Sequence, residues 1–175
     1  MRYLLFFLAF AGAATVAQER APDVPFVPTP LPVVERMIEL AEIGPSDVVY
    51  DLGSGDGRMV ILAAARRGAR GVGVDVNPVW VREAALYAEH YGVAGKVTFR
   101  VEDLFMTDLR DASVVMLYLL PDVNRKLEPR LRAQLKPGAR VVSHEYRIGD
   151  WVPGKSEVML VNGVPHEIHV WTVAP

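Results

Sequence analysis

Apolar residues along the chain form short continuous runs separated by longer amphipathic stretches. Continuous apolar runs of this length are typical of parallel strands covered on both faces. They predict strands at 48–52, 71–75, 97–101, 114–120 and 140–146. Before and between these runs, apolar positions recur at helical spacing, which predicts helices over 33–43, about 57–67, about 79–91 and about 123–135. We expect Asp122 to cap the last helix and Pro129 to kink it or break it early.

The C-terminal part departs from this alternation. Two strand-like runs, 157–161 and 166–173, flank Asn162-Gly163, a strong signal for a tight hairpin. The stretch from 148 to 155 shows no helical pattern. The whole pattern predicts an α/β fold with a Rossmann-like sheet of five parallel strands plus a C-terminal antiparallel hairpin, and with helices on both faces.

Composition limits the classes of function. The 175 residues fit one domain with a single well-filled core. The net charge is −2 and no stretch concentrates lysine and arginine. Nucleic acid is therefore disfavoured as the main partner, because binding to phosphate backbones depends on clustered cations. The absence of cysteine excludes disulfides, thiolate metal sites and cysteine nucleophiles.

The N-terminal thirty residues differ from the rest. Arg2 precedes an uncharged, mostly apolar run that reaches Ala17, a pattern typical of a signal peptide. We expect residues 1–17 to be a signal peptide or membrane anchor, so that the protein is exported or membrane-attached; if the segment is not used, it is cytoplasmic. Residues 18–30 form a proline-rich segment whose composition favours a linker, and 31–175 form the globular domain.

Three glycines follow the first predicted strand at every second position: Gly53, Gly55 and Gly57, with Ser54 between the first two. Glycine lets the backbone turn sharply and lets a ligand reach main-chain atoms that a Cβ would shield. A dinucleotide fingerprint, Gly-x-Gly-x-x-Gly, would need a glycine where Arg58 stands. The loop therefore lacks the dinucleotide fingerprint, and taken alone it could also be a tight strand-to-helix connection.

Three acids stand at or just beyond the ends of successive predicted strands: Asp51, Asp75 and Asp103. Rossmann-like sheets bind ligands at these ends, and an acid after the second strand is placed to accept hydrogen bonds from ribose hydroxyls. We therefore expect Asp75 to hold a ribose. Taken singly, Asp75 could instead cap the next helix and Asp103 a short turn. The three acids together with the glycine loop favour a nucleoside-containing cofactor.

The spacing Asp-x-Gly-x-Gly-x-Gly resembles motif I of the class I methyltransferases, which have a seven-stranded sheet and use S-adenosyl-L-methionine (SAM). The resemblance implies that main chain at Gly53 and Gly55 holds the methionine end of SAM and that Asp51 faces its ammonium. It extends the expected cofactor site to the rest of the loop, Ser54 and Gly57.

The tripeptide Glu102-Asp103-Leu104 is similar to the adenine-binding step of the same family. This similarity implies that Asp103 accepts a hydrogen bond from the adenine amine and that the Leu104 N–H meets a ring nitrogen. Val76 and Asn77 would flank the adenine face.

The segment Pro25-Phe26-Val27-Pro28-Thr29-Pro30 and the glycine loop together resemble the seven-strand protein-lysine methyltransferases that act on the mitochondrial ATP-synthase c subunit, and their archaeal broad-specificity relatives. The resemblance covers about residues 25–150 and is loose after the fourth strand. It implies that Phe26 and Thr29 fold over the cofactor and that protein lysine is the methyl acceptor.

Methyl transfer from a sulfonium is an in-line displacement, so the protein mainly positions the nucleophile and excludes water. An apolar, aromatic-lined channel favours the neutral lysine that the reaction needs. The segment 117–121 lies where amino methyltransferases often carry Asn/Asp-Pro-Pro-aromatic, and the absence of that pattern disfavours DNA or glutamine methylation. We predict that Tyr118 lines the channel; the alternative is a core tyrosine in a buried strand.

Histidines near the C-terminus suggest a general base, with His144 as the candidate. Adjacent strand residues point to opposite faces, so only one of His144 and Glu145 is expected to face the pocket. His166 and His169 have an odd separation and cannot share a strand face, so we expect no metal site there and none elsewhere.

Three functions remain open at this point. The domain methylates protein lysine, it methylates a small envelope or lipid-derived molecule, or it binds SAM without catalysis. Export would favour the last, because SAM is made in the cytosol.

Overall fold

The computed structural model describes residues 26–174. The expected signal or anchor segment, residues 1–17, and the first part of the proline-rich segment lie outside the described residues, so both remain predictions. Within 26–174, none of the helices is long and apolar enough to cross a membrane.

A seven-stranded sheet forms the centre of the protein, with the strand order β3-β2-β1-β4-β5-β7-β6. The strands are β1 (Val48–Leu52), β2 (Arg70–Asp75), β3 (Val97–Val101), β4 (Val114–Leu117), β5 (Arg140–His144), β6 (Lys155–Val161) and β7 (Val164–Thr172). The first five strands pair in parallel, whereas β7 is antiparallel to both β5 and β6. The predicted fold class is confirmed.

Four helices cover the sheet: α1 (Leu31–Leu40), α2 (Arg58–Arg67), α3 (Pro78–His90) and α4 (Pro121–Gln134). Buried residues of α1, α2 and α3 form one core layer with one face of the sheet. Buried residues of α4 and of the segment after β3 form a second layer on the other face. Helices therefore lie on both faces, as predicted.

Helix α4 corrects two expectations. It continues through Pro129 to Gln134, so the predicted early break is wrong. Pro129 lies about two turns into the helix and forfeits one intrahelical bond, a loss that burial of Leu127 and Leu131 on either side of it outweighs. Asp122 does not cap the helix; the N-cap is Leu120 and Asp122 lies in the first turn.

The C-terminal hairpin forms as the sequence predicts. Asn162 and Gly163 both have positive φ, 53° and 81°, as a two-residue type I′ turn requires. No helix separates β5 from β6 in the described part of the chain. The strand order reverses between β1 and β4, and the loops at the carboxyl ends of the parallel strands meet there.

Candidate active site

The glycine loop leaves β1 and folds over the end of β2. The N–H groups of Gly53 and Ser54 both donate to the Val74 carbonyl, each over 2.9 Å. Gly53, Gly55 and Gly57 all have positive φ, the conformation that residues with a Cβ rarely adopt. The alternating glycines thus produce a tight bend at the reversal point of the sheet, in which Gly53 is exposed and Gly55 and Gly57 are buried.

Phe26 of the proline-rich segment lies directly on this bend. A Cβ added to Gly55 would be only 2.3 Å from the Phe26 ring. The same ring packs against the Trp80 ring of α3 at a tilt of 33°, with 4.1 Å between the centroids. The last residues of the proline-rich segment therefore pack against the site, and the linker interpretation does not describe them.

Asp75 at the end of β2 holds the loop in place. One carboxylate oxygen accepts from the Gly55 N–H and the other from the Asn77 N–H, both at 2.9 Å. Asn77, whose side chain accepts from the Val79 N–H, is the cap of α3. The alternative in which Asp75 caps this helix is therefore wrong. Asp75 lines the cleft and keeps further lone pairs for ligand hydroxyls.

Asp51 is a buried acid, only 3% exposed, at the end of β1. Burial, together with the nearby carboxylates of Asp56 and Asp75, raises its pKa to about 8. Asp56 is itself paired with Arg58, the first residue of α2. A cationic ligand group that enters the cleft would therefore find Asp51 as a carboxyl that can ionise to meet it.

The two acidic residues in the turn after β3, Glu102 and Asp103, have different contacts. Glu102 and Leu104 line the cleft. Asp103 accepts from the Phe105 N–H over 2.9 Å, and its carbonyl accepts from the Thr107 hydroxyl. Asp103 thus stabilises the short turn that presents its neighbours, as in the alternative noted above, and its contact with adenine remains a prediction.

The structure brings most of the predicted cofactor residues, and the predicted channel residue Tyr118, to one cleft. Those that line it are Phe26, Thr29, Asp51, Gly53, Ser54, Asp75, Val76, Asn77, Glu102, Leu104 and Tyr118. Gly55 contributes from beneath Phe26, and Gly57 lies behind the loop, where a Cβ would overlap the Phe99 ring. The glycine at 57 therefore serves packing of α2 and α3 against the sheet.

Two contributors were missed from the sequence. Trp80 lines the cleft from the first turn of α3, one turn after Asn77. Arg58 donates from its guanidinium to the Thr29 carbonyl over 2.9 Å and so ties the proline-rich segment to α2. The position of Arg58 directly after the glycines could have indicated a role at the site. Its contact with Thr29, 29 residues earlier, could not be predicted from the sequence.

Beyond the cleft, Tyr118 leads into a group of rings at the ends of β4 and β5. Tyr118 follows β4 and is half-buried, with its ring 4.1 Å from the ring of His144 and 6.5 Å from that of Tyr146. The His144 Nδ1 is 3.1 Å from the Thr29 hydroxyl. We call the group formed by Thr29, Tyr118 and Tyr146 the aromatic chamber.

Two side chains expected on opposite faces instead lie on the same side. Glu145 has φ 66°, and the Tyr146 N–H donates to the His144 carbonyl over 2.8 Å, which makes a γ-turn. This turn ends the strand, so alternation no longer applies and both His144 and Glu145 contact His166. His144 is fully buried; burial and the neighbouring His166 lower its pKa to about 4.

The residues of the cleft fit an adenosine that carries a sulfonium and an amino acid. The buried Ser54 hydroxyl has no partner among the residues that the structure describes. Because Gly55 has no Cβ, the Phe26 ring lies against the bend and forms one wall of the cleft. The buried carboxyl of Asp51 suits an ammonium, and Asp75 suits vicinal hydroxyls.

Comparison with solved structures places the protein in the class of SAM-dependent methyltransferases. The crystal structure of an RNA methyltransferase from Salinibacter ruber in complex with S-adenosyl-L-homocysteine is 51% identical, with a TM-score of 0.79 over 85% of this chain and 94% of that chain. Residues 51–155 match the profile of the ANTKMT methyltransferase domain, and the chain belongs to this family. Its cofactor is SAM.

Curated relatives carry lysine methyltransferase names. A protein-lysine N-methyltransferase of Saccharolobus islandicus is 42% identical over 154 residues, which are 87% of this chain and 95% of that protein. The adenine nucleotide translocase lysine N-methyltransferase of Mus musculus is 40% identical over 132 residues, 75% of this chain and 57% of that protein. The chain thus spans nearly all of the archaeal relative and little more than half of the murine one.

Proposed function

We propose that this methyltransferase N-methylates lysine side chains of a protein acceptor. The observation that carries the proposal is the 42% identity, over 95% of its length, to an archaeal protein named for that activity. The family relationship and the murine relative named for lysine methylation support the same acceptor class.

Each part of the cofactor is bound by a different set of cleft residues. Asp75 takes the ribose hydroxyls, while Val76 and Asn77 flank the adenine, whose edge meets the turn of Glu102 to Leu104. The glycine loop and Ser54 hold the methionine part, and Asp51 takes its ammonium. Bound SAM supplies a methyl group already activated on sulfur, which an amine receives by in-line displacement.

The aromatic chamber prepares the acceptor amine. Burial raises the pKa of Tyr118, so its phenol stays protonated at neutral pH and offers an O–H and an apolar ring but no base. An ammonium that enters between the rings of Tyr118 and Tyr146 loses water, which lowers its pKa and favours the neutral nucleophile. His144 is fully buried with both ring nitrogens engaged, so we do not assign it the general-base role.

A second candidate function is methylation of RNA, because the Salinibacter ruber structure is named an RNA methyltransferase. The net charge of −2 favours the protein acceptor over RNA, since phosphate backbones attract clustered cations.

One labelling experiment separates these functions. The full chain is incubated with radiolabelled SAM and a cell extract, and the products are divided into protein, RNA and lipid or small-molecule fractions. We expect label in protein, sensitive to protease but not to ribonuclease, and released as methyl-lysine by acid hydrolysis. Label in RNA or in the small-molecule fraction would overturn the proposal, and tight SAM binding without any label would identify a silent SAM-binding module.

We also propose that residues 1–17 direct export or membrane attachment of the enzyme. The apolar run behind Arg2 supports this location. N-terminal sequencing of the native protein is expected to begin near Gln18; an intact Met1 in the cytosol would contradict it.

A further inference from the structure

A compact group of three ligand-type side chains lies beside the aromatic chamber, and we call it the His-Glu-His cluster: His144, Glu145 and His166. The His144 Nε2 is 2.9 Å from the His166 Nδ1 and 3.2 Å from a Glu145 carboxylate oxygen. The same carboxylate oxygen is 3.0 Å from the His166 Nδ1. The three atoms therefore form a nearly equilateral triangle.

The fold builds this triangle from two neighbouring strands. His144 ends β5, and His166 lies on the antiparallel strand β7. The γ-turn at Glu145 directs its carboxylate toward both rings, in a backbone conformation that glutamate rarely adopts. The Glu145 N–H donates to the Glu167 carbonyl over 2.7 Å, which fixes the turn against β7. Unusual backbone of this kind persists where the surroundings enforce it, often at functional sites.

Protons alone cannot satisfy all three contacts while the carboxylate is ionised. Each ring nitrogen carries either a proton or a lone pair, and an ionised carboxylate only accepts. If one ring donates, the lone pair of the other ring faces the carboxylate; if both donate, their two N–H groups face each other. One edge of the triangle is therefore always repulsive.

A divalent cation would make all three contacts attractive, because it binds three lone pairs at once. Ligands about 2.1 Å from an ion lie about 3.0 Å apart in octahedral and about 3.4 Å apart in tetrahedral geometry, so the observed edges of 2.9, 3.0 and 3.2 Å come closest to the octahedral spacing. Two imidazoles and one carboxylate suit borderline first-row ions. We propose that the His-Glu-His cluster is a binding site for one divalent first-row metal ion such as Zn²⁺.

The surroundings supply what a metal-bound histidine needs. The Nδ1 of His144 lies 3.1 Å from the Thr29 hydroxyl oxygen, which can accept a hydrogen bond from the Nδ1–H group. In this tautomer the Nε2 lone pair is available to the ion. The side chains of Glu145 and His166 are 27% and 14% exposed, so the ion can enter from solvent, whereas His144 is closed off. A bound ion would fasten β5 to β7 at the edge of the aromatic chamber. This proposal does not depend on which acceptor is methylated.

Metal binding by the tag-free full chain tests the proposal directly. After treatment with a chelator and its removal, the protein is titrated with Zn²⁺ by calorimetry and with Co²⁺ by visible absorption. We expect one ion per chain with each metal and a Co²⁺ spectrum that shows nitrogen and oxygen ligation. We expect His166→Ala and Glu145→Gly each to weaken Zn²⁺ binding at least about 100-fold.

Two features keep the test decisive. Glycine adopts positive φ readily, so Glu145→Gly removes the carboxylate without disturbing the turn, and its melting temperature in chelator should match or exceed that of the wild type. His90→Ala, an exposed histidine on α3, is the matched control and should bind as the wild type does. No saturable binding of either ion by the wild type, or binding by Glu145→Gly and His166→Ala as tight as that of the wild type, would overturn the assignment.

Discussion

The two halves of the catalytic edge are built in different ways. The cofactor half, at the ends of β1, β2 and β3, consists largely of bent main chain and carboxylates held by neighbouring N–H groups, as with Asp75 and Gly55. The acceptor half, at the ends of β4 and β5, consists of side chains from distant parts of the sequence, such as Thr29 and His144, which are 115 residues apart and in contact. One half thus depends on local backbone geometry and the other on long-range packing. The two should therefore fail differently when they are altered.

The largest effect is expected from Gly55→Ala on the cofactor half. The new methyl group would lie 2.3 Å from the Phe26 ring at a backbone φ of +49°, so the bend or the ring must move. We expect SAM affinity to fall at least about 100-fold by calorimetry. Gly163→Ala is the matched control, because it has positive φ with nothing within 4 Å, and it should lower stability without changing SAM affinity.

A smaller loss is expected from Asp75→Asn. The amide can replace only one of the two accepting oxygens that hold the Gly55 and Asn77 N–H groups. A hydrogen bond to a charged group contributes about 1.5–3 kcal/mol, so SAM affinity should fall about 30-fold. Chemical denaturation should show a folded domain. The exposed Asp111→Asn should leave affinity unchanged, and tight SAM binding by Asp75→Asn would remove the ribose assignment.

On the acceptor half, Tyr118→Phe should separate turnover from cofactor binding. The ring stays in the chamber, but the hydroxyl that can orient the amine is lost. We expect kcat to fall about 10-fold while the Kd for SAM changes less than about twofold. Tyr91→Phe, an exposed tyrosine, is the control. Equal losses of turnover and SAM affinity would place Tyr118 in the core and remove the contrast between the halves.

The smallest effect concerns pH and Asp51. Its pKa in the cofactor-free protein is raised to about 8 by burial, so the carboxyl is mostly protonated at pH 7. If the ionised form pairs with the cofactor ammonium, binding releases this proton, and affinity rises with pH up to about 8. Between pH 7 and 8 the gain should be about fivefold. Calorimetry in buffers of different ionisation enthalpy should show this proton release in the wild type and its loss in Asp51→Asn.

The same contrast explains how far the sequence could predict the site. The glycines, Asp51 and Asp75 are spaced by strand and loop lengths, so local patterns located them and the parallel sheet. The prediction that His144 and Glu145 point to opposite faces was wrong, and it missed that both contact His166. Strand alternation does not hold once Glu145 adopts a left-handed backbone conformation. No local pattern indicates that β5 ends at His144, two residues before the predicted end, or that β7 places the His166 ring opposite it.

Thr29 belongs to both halves, since Arg58 holds its carbonyl and its hydroxyl meets His144. Through these two contacts Thr29 connects the cofactor half directly to the acceptor half. We expect SAM binding in one half to change the affinity of the other half for the acceptor amine. By thermodynamic linkage, the amine then changes the affinity for SAM by the same factor.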